Sequence, residues 1–341
     1  MLCWLFFSAC SSAPPPERPN IRPQWVNSPH SKYNERQYVA VVGFGSRRDE
    51  AERAALANLA GIFGLSILDE QSINNIYWEA VRSGITAEWS QTTTIDRTIT
   101  TSAAMSSLVG AEIRDVWHNG VNTYYVSAVM NRARTAQIYT NMIMANQEMI
   151  ANLTNVATDQ NTMERFARYQ LAAAAADINM SYANVLNVIG APPVAGLRTG
   201  DEYRLKAANV AAAIPVRVIV EKREDVDRAG RIHGAFSRAI SESGLRTVTG
   251  QAPYTLEVSL ILSEVPFPGQ QNVFVRYEIH ANFIDARTRI AQMPPYNIDG
   301  REGHINLAQA ENRAISAAER RINEEYRDLL LQNLFLVLPR R

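Results

Sequence analysis

The stretch Gln37–Phe44, with the sequence QYVAVVGF, decides the fold of the first folded part of the chain. Its run of apolar and β-branched residues is typical of a buried strand, and Gly43-Phe44-Gly45 indicates a tight turn at its end. Ser46 and Asp49 resemble a capping box, which predicts that a helix begins there. The apolar residues that follow share one face of this helix: Ala51, Ala55, Leu59, Ile62 and Phe63.

The same glycines invite a comparison with the GxGxxG loop that binds the pyrophosphate of a dinucleotide. The third glycine of that motif would fall at Arg48, and no βαβ unit follows it. We therefore interpret Gly43-Phe44-Gly45 as a turn that leads into a helix, and we expect no cofactor to bind there.

Further strands are predicted on the carboxyl side of this helix, at Thr92–Ser107, Ala111–Trp117 and Thr123–Met130. Asn119-Gly120, between the last two of these strands, is a typical hairpin signal. The order β-α-β-β-β predicts a small α+β sheet domain over residues 23–132.

A helical segment is expected next, over residues 133–196 including a short linker at Ala191–Gly196. Its apolar residues recur at helical spacing in two runs, which are Ile138, Met142, Ala145, Met149 and Val156, and then Phe166, Tyr169, Ala173, Ala176, Met180, Ala183 and Asn187. Two helices with such seams predict a long antiparallel hairpin that turns at Thr158–Asn161. The Met-rich seam could serve as a partner surface, but we expect it to be packed core.

A second sheet domain is predicted over residues 197–341. Strands are expected at Val216–Glu221, near Ile290 and at Tyr296–Arg301, and helices at Asp227–Ser243, with Gly244 as its C-cap, and at Leu307–Leu334. Two clear alternating strands are indicated by Leu256, Val258, Leu260 and Leu262, and by Val273, Val275, Tyr277, Ile279, Ala281 and Phe283. The predicted fold class is therefore α+β, with two small α+β sheet domains separated by a long antiparallel helical hairpin.

The first ten residues form an apolar stretch that ends in the small residues Ser8 and Ala9 before Cys10. This ending resembles a lipobox, so residues 1–10 are predicted to be a lipoprotein signal segment in which Cys10 carries the lipid. The stretch lacks a basic residue at its start and is short, and the alternative is an apolar N-terminal tail with an incidental cysteine. Residues 11–22 are rich in Pro and Ser, which is typical of a tether.

Composition excludes several classes of function. The 34 Lys and Arg residues balance the 34 Asp and Glu residues without a dense basic stripe, so we expect no nucleic acid as partner. The two cysteines, Cys3 and Cys10, both lie in the first ten residues, which rules out a thiolate zinc site or a Cys nucleophile in the body.

The search for catalytic or metal-binding residues yields no candidates. The histidines, His30, His118, His233, His280 and His304, stand in no HxxxH or HExxH spacing, and the sequence contains no GxSxG motif and no P-loop. We expect His233 to lie at a core edge, the strand face of His280 to be solvated, and Arg301–His304 to form a turn before a helix. Trp25, Trp78, Trp89 and Trp117 could anchor a glycan or a partner helix, but packing is the default interpretation.

Three segments together carry a family resemblance. They are Pro23–Val26, the strand, turn and helix that run from Tyr38 to Leu59 with the pattern Ala51-Glu52-x-Ala54-Ala55-x-x-Asn58-Leu59, and the strand Tyr124–Arg132. This pattern resembles the Lpp-twenty family of bacterial lipoproteins, which is related to the N-terminal domain of flagellar assembly protein T. Asp285–Thr288, Arg301–His304 and the final helix are similar to TolB N-terminal-like envelope domains.

The resemblance implies a cell-envelope location and a role in assembly, and it transfers no active-site residue. We therefore expect a non-catalytic periplasmic assembly or scaffolding factor, anchored through its lipid in the outer membrane and facing the periplasm. It would serve a flagellar or another envelope complex, and its partners would be the membrane, other envelope proteins and further copies of itself. The alternatives are a surface-exposed binding lipoprotein, such as an adhesin or antigen, and an envelope hydrolase.

Overall fold

The structure, a computed structural model, describes residues 21–63, 109–155, 161–221, 227, 229–266 and 272–338. The chain divides into two compact units, which are Met1–Leu65 with Gly110–Thr135, and Ser66–Val109 with Ala136–Arg341. The first unit contains a three-stranded sheet and the second a five-stranded sheet, which confirms a mixed fold of helices and two sheets. Cys10, Trp78, Trp89 and the strand predicted at Thr92–Ser107 lie outside the described residues.

Apart from the strand predicted at Thr92–Ser107, the described elements of the first unit follow the predicted order. They are two short 3-10 helices at Gln24–Val26 and Pro29–Ser31, β1 at Tyr38–Gly45, α1 at Arg48–Ile62, β2 at Ala111–His118 and β3 at Tyr124–Asn131. β3 is the central strand and pairs antiparallel with both β1 and β2. α1 packs against β1 and β3 and so covers one face of this small sheet.

Gly43 explains why α1 can lie so close to the sheet. A Cβ at Gly43 would overlap backbone atoms of Ala51 and Ala55, both of which are fully buried on the inner face of α1. Asn58, further along the helix, donates from its side-chain amide to the carbonyl oxygen of Val42 at 3.0 Å. The pattern of Ala51, Ala55 and Asn58 that resembled a lipoprotein family is therefore the packing pattern of one helix on one strand.

Two local predictions at the ends of these elements have different outcomes. The capping box of Ser46 and Asp49 is wrong, because α1 begins only at Arg48 and Ser46 instead donates its backbone N–H and its hydroxyl to Glu50. The hairpin at Asn119-Gly120 is confirmed. The Asn119 side-chain oxygen accepts hydrogen bonds from three backbone N–H groups of the loop, and Gly120 takes a φ of 83°, which favours glycine.

The second unit is larger and mixed. Its helices are α2 at Arg132–Thr154, whose first residues lie in the first unit, α3 at Thr162–Val188, α4 at Gly200–Ala211, α5 at Arg231–Glu242 and α6 at Leu307–Asn333, followed by a 3-10 turn at Leu334–Val337. Its strands are β4 at Pro215–Val220, β5 at Arg246–Val248, β6 at Tyr254–Val265, β7 at Val273–Asp285 and β8 at Tyr296–His304. In the part of the chain that the structure describes, no helix is long and apolar enough to cross a membrane.

The helices α2 and α3 do not form a spacer between two domains. They pack antiparallel, since Asn146 of α2 bonds to Asn179 of α3 at 2.9 Å while Leu153, further along α2, accepts from Arg168, which lies earlier in α3. Buried residues of both helices, among them Leu153 of α2 and Phe166 of α3, belong to the same hydrophobic core as the five-stranded sheet. The reason is that the stretch 171–176 of α3 is buried throughout, and a helix that is apolar all round is an internal one.

The predicted seam of these helices is correct in part. Met149 is buried in the core as expected, and Met163 joins it there. Met180 and Asn187, which the regular spacing placed on the seam of α3, are exposed, and Val185 and Leu186 are buried instead. Because α3 is apolar over a wide part of its surface, the spacing of its apolar residues did not identify which face packs in the core.

The second sheet has the strand order β5-β4-β6-β7-β8, in which β4 runs parallel to β5 and β6 while β6, β7 and β8 pair antiparallel. The strand near Ile290 is reduced to one bridge between Ile284 and Ala291. Arg301–His304 is not a turn, because it forms the end of β8. The helix predicted from Asp227 begins at Arg231.

α5 and α6 are held on the inner face of this sheet by large rings. Phe236 of α5 meets Tyr326 of α6 edge-on, with ring centroids 4.9 Å apart, and both rings also contact Tyr296 of β8. Desolvation by burial raises the pKa of Tyr326 above its usual value, so the phenol stays neutral in the core. Aromatic pairs of this kind add stability beyond the area that they bury.

Candidate functional site

A row of aromatic side chains crosses one end of the three-stranded sheet. Phe44 of β1 lies opposite Tyr125 of β3, and Tyr125 lies opposite Trp117 of β2. The ring centroids are 6.3 Å apart for Phe44 and Tyr125 and 5.4 Å apart for Trp117 and Tyr125. The guanidinium group of Arg22 lies 5.0 Å from the centre of the Tyr125 ring, which places a cation on the face of the row.

The same end of the sheet carries an exposed loop residue. Val121 is at the tip of the hairpin between β2 and β3 and is 80% exposed, and Phe44 is 67% exposed. We call the group Arg22, Phe44, Trp117, Val121 and Tyr125 the tip surface. Exposed apolar groups that cluster in this way mark an interaction site more often than scattered ones do.

A polar network fixes the segment that precedes β1 to the middle of β2. The hydroxyl of Tyr33 donates to Asp115, and Lys32 donates to the second oxygen of the same carboxylate at 2.7 Å. Tyr33 also lies 3.3 Å from the hydroxyl of Ser127, which accepts from the backbone N–H of Asp115 at 2.9 Å. Three elements that are remote in sequence are thereby joined through one carboxylate.

The pKa shifts in this network follow from its geometry. Burial raises the pKa of Tyr33 to about 12, and the hydrogen bond to Asp115 acts in the same direction. Partial burial acts to raise the pKa of Asp115 as well, but the hydrogen bonds from Lys32 and Tyr33 outweigh it, so the pKa of this carboxyl lies below its usual value. Asp115 is therefore ionised at neutral pH and acts as an acceptor, and nothing in the arrangement directs a base at Ser127.

The histidines are dispersed among the described residues. His280 bonds to Asn297 at 2.8 Å on the exposed face of the second sheet, which confirms that this face is solvated. His30 pairs with the Tyr33 carbonyl, and the ring of His118 lies against Tyr124. Within the described ranges, no group of three or more His, Cys, Asp or Glu residues is placed to hold a metal ion.

A cavity of about 280 Å³ opens in the second unit beside α2, α3 and α4. Its lining includes Gln147, Thr154, Tyr203 and the basic residues Arg198 and Lys206. This volume lies just below the range of about 300–1,000 Å³ that is usual for small-molecule sites, and the two cations favour an anion. None of the described lining residues is a His, Asp or Glu.

The outer face of the five-stranded sheet carries polar side chains in alternation along β6, β7 and β8. We call it the open sheet face, and its members are Glu257, Arg276, Glu278, His280, Asn282, Asn297 and Asp299. Arg276 makes ion pairs with Glu278 at 3.1 Å and with Asp299 at 3.2 Å, while Glu257 is paired with Arg289. The face is therefore charged and accessible, and its ion pairs lie within β7, between β7 and β8, and between β6 and the turn after β7.

The residues singled out from the sequence fall in different places. Cys10, the predicted lipidation site, lies outside the described residues, as do Trp78 and Trp89. Trp25 is buried, as the default interpretation holds. Trp117 is only half-buried and belongs to the tip surface, whose other members the sequence reasoning missed. A two-residue turn at Asn119-Gly120 would pair Trp117 with Asn122. The loop is longer, because His118 pairs with Tyr124, and this register places Trp117 opposite Tyr125.

Comparison with known proteins yields only weak structural similarity. No protein-family profile and no curated protein matches the chain. Among solved structures, a secreted protein from the human pathogen Helicobacter pylori aligns over 84% of this chain and 97% of its own, with 12% identity and a TM-score of 0.40. A minor lipoprotein from Acinetobacter baumannii aligns over 35% of this chain and 89% of its own, with 11% identity and a TM-score of 0.25. The resemblance to the Lpp-twenty family therefore stays a prediction from the sequence.

Proposed function

We propose that this protein is a lipid-anchored, non-catalytic scaffold of the cell envelope, which holds partner proteins on the open sheet face of its second unit. Cys10 carries the lipid, and the outer membrane, on its periplasmic side, is the proposed location. The partners belong to an envelope assembly, of which a flagellar complex is one example.

The first unit is built as the attachment. Residues 11–22 lead directly into a segment whose Trp25 and Val26 are buried and whose Tyr33 and Lys32 are bonded to Asp115 of β2. A chain that emerges from a membrane anchor therefore enters the folded unit through contacts with the sheet. This arrangement supports a role in which the anchor positions the body of the protein.

The observation that carries the proposal is the open sheet face. Antiparallel sheets can leave one face in water, but an ordered set of alternating charges also provides the complementary potential by which protein partners recognise each other. Arg276 lies at the centre of this set because it pairs with Glu278 on its own strand and with Asp299 on β8. A partner with the complementary charge pattern would form ion pairs with Arg276, Glu278 and Asp299 in place of the pairs that these residues make with each other.

Site-specific photo-crosslinking in the native envelope tests this proposal. A photoreactive residue replaces Asn282, which is exposed on the open sheet face, and in a matched control it replaces Glu324, which is exposed on α6. We expect one defined adduct from position 282, none from position 324, and loss of the adduct when Arg276→Glu is added. Arg276 is exposed, so this reversal changes the charge of the face without opening the core.

Two results would contradict the proposal. Equal crosslinking from both positions, or an adduct that is unchanged by Arg276→Glu, would show that the open sheet face selects no partner. For the anchor, Cys10→Ser is expected to move most of the protein from the membrane fraction to the soluble fraction. Full retention of that variant in the membrane fraction would exclude lipidation at Cys10 as the main attachment.

A further inference from the structure

The tip surface is left without a role by the proposed scaffold. Three large apolar side chains are exposed at or beside this surface, namely Phe44 at 67%, Val121 at 80% and Ile21 at 75%. Polar residues could occupy such positions without loss of packing, so the apolar side chains need an explanation. Phe44 lies in β1 beside Tyr125, and Tyr125 in turn contacts Trp117, so the exposed ring belongs to a strand and does not hang from a loop. Such a rigid group of apolar and aromatic side chains calls for an apolar counterpart.

The position of this surface along the chain indicates which counterpart it meets. Arg22, whose guanidinium lies on Tyr125, follows Cys10 by only 12 positions. Twelve residues span at most about 40 Å when fully extended, which is about the thickness of one bilayer. If Cys10 is lipidated, as the proposed function on which this inference rests requires, the tip surface is confined to the neighbourhood of the membrane.

The chemistry of the tip surface also fits a bilayer interface. Trp and Tyr are enriched at the level of the lipid headgroups, where an amphipathic ring meets both water and hydrocarbon. Phe44 and Val121 supply purely apolar groups that can enter the boundary of the acyl chains. Arg22 supplies a cation beside them, and a cation in this position is attracted by anionic headgroups. A binding site for an acidic protein would place cations at its centre, whereas the centre here is aromatic.

We infer that the tip surface is a membrane-contact site, which seats the end of the three-stranded sheet in the headgroup layer of the phospholipid bilayer that carries the lipid anchor. The lipid fixes the protein to the membrane, and the tip surface fixes the orientation of the first unit against it. Two attachments of this kind together hold a protein more firmly than either does alone.

Vesicle co-sedimentation tests this inference separately from lipidation, because it uses the full chain with Cys10→Ser. The probe is vesicles of phosphatidylethanolamine and phosphatidylglycerol, with neutral phosphatidylcholine vesicles for comparison. We expect the double change Phe44→Ser and Val121→Ser to weaken binding at least about tenfold, because two exposed apolar side chains leave the membrane. Arg22→Gln should reduce the preference for anionic vesicles about fivefold. Ile305→Ser, at a residue of the second unit that is 72% exposed, is the matched control and should bind as the parent does.

The outcomes separate the two attachments. Loss of vesicle binding in the double variant but not in Ile305→Ser, with unchanged thermal unfolding, supports the membrane-contact site even if Cys10→Ser leaves the protein in the membrane fraction of cells. Absent vesicle binding of the Cys10→Ser chain, or equal binding by all variants, overturns it while leaving the anchor intact. Protection of the tip surface from hydrogen exchange by a lipid-free envelope extract, but not by vesicles, would assign it to a protein partner and would also overturn it.

Discussion

In the first unit α1 lies so close to its sheet that Gly43 has no room for a side chain, whereas in the second unit α5 and α6 stand on the large rings of Phe236, Tyr296 and Tyr326. Both sheets are covered on one face by helices, but the side chains between helix and sheet differ. The small unit gains its contact from close backbone approach through Ala51 and Ala55, and the large one from bulky side chains.

The exposed side chains of the two sheets differ in the opposite sense. The small sheet has aromatic and apolar groups at its exposed end, while the large sheet presents charges and amides to water. The first unit therefore exposes the aromatic ring of Phe44 to its surroundings, whereas the second unit buries the rings of Phe236 and Tyr326 in its core. This difference fits the proposed roles, in which the first unit attaches the protein to the membrane and the second unit binds partner proteins.

The largest expected effect tests the aromatic filling of the second unit. Phe236→Ala removes a fully buried ring that contacts Tyr296 and Tyr326 edge-on, and it should lower the free energy of unfolding by about 4 kcal/mol. Urea unfolding followed by tyrosine fluorescence measures it. Phe44→Ala, at a phenylalanine that is 67% exposed in the first unit, is the control and should cost less than about 1 kcal/mol. Similar losses at both positions would mean that the rings of the two units do not differ in the way described.

A somewhat smaller effect tests the close packing of the first unit. Gly43→Val places side-chain atoms where the backbone of α1 runs, and it should destabilise the unit by about 3 kcal/mol. Hydrogen exchange should show lost protection in β1, α1 and β3. Gly61→Ala is the matched control, because its Cβ would meet no atom within 4 Å and α1 should gain about 0.5–1 kcal/mol from the better helix former. A Gly43→Val protein with native protection in α1 would refute the packing described here.

The elements of both sheets could be predicted from the sequence because their signals are local. The alternation in β6 and β7 and the hairpin at Asn119 each depend on a few adjacent residues, and the structure confirms them. The tight turn predicted at Gly43-Phe44-Gly45 is wrong, because these three residues are the end of β1 and pair with β3. The capping box failed for a local reason, since Glu50 lies close enough to reach Ser46 and competes with Asp49 for it.

The arrangement of helices and the sites could not be predicted in the same way. The stretch 171–176 of α3 is almost entirely alanine and is buried all round, so its spacing does not say which face meets α2 and which meets the rest of the core. The contact between Tyr33 and Asp115 joins residues 82 positions apart, and no pattern in one sequence reports such a distance. The tip surface could not be predicted either, because the Asn119-Gly120 signal does not give the length of the loop, and the register that pairs Trp117 with Tyr125 depends on that length.

The smallest expected effect concerns the carboxylate that ties the N-terminal segment to the first sheet. Asp115→Asn weakens the hydrogen bond from Lys32 and removes the charge that orients Tyr33, and it should cost about 1 kcal/mol at pH 7. Because the pKa of Asp115 is lowered in the folded protein, its contribution is fully present above the unfolded value of about 3.9 and is lost as the pH falls through the folded value.

The difference in unfolding free energy between parent and Asp115→Asn should therefore be constant from pH 7 to about 5 and shrink below about pH 4. Urea titrations at several pH values measure it. Asp299→Asn, which removes an exposed partner of Arg276, is the control and should change stability by less than about 0.5 kcal/mol at each pH. A pH-independent difference for Asp115→Asn would mean that the carboxylate contributes by shape alone. In that case the burial of Trp25 and Val26 would hold the segment between the tether and β1. The N-terminal segment would then be attached to the sheet by apolar contacts and not by the charge of Asp115.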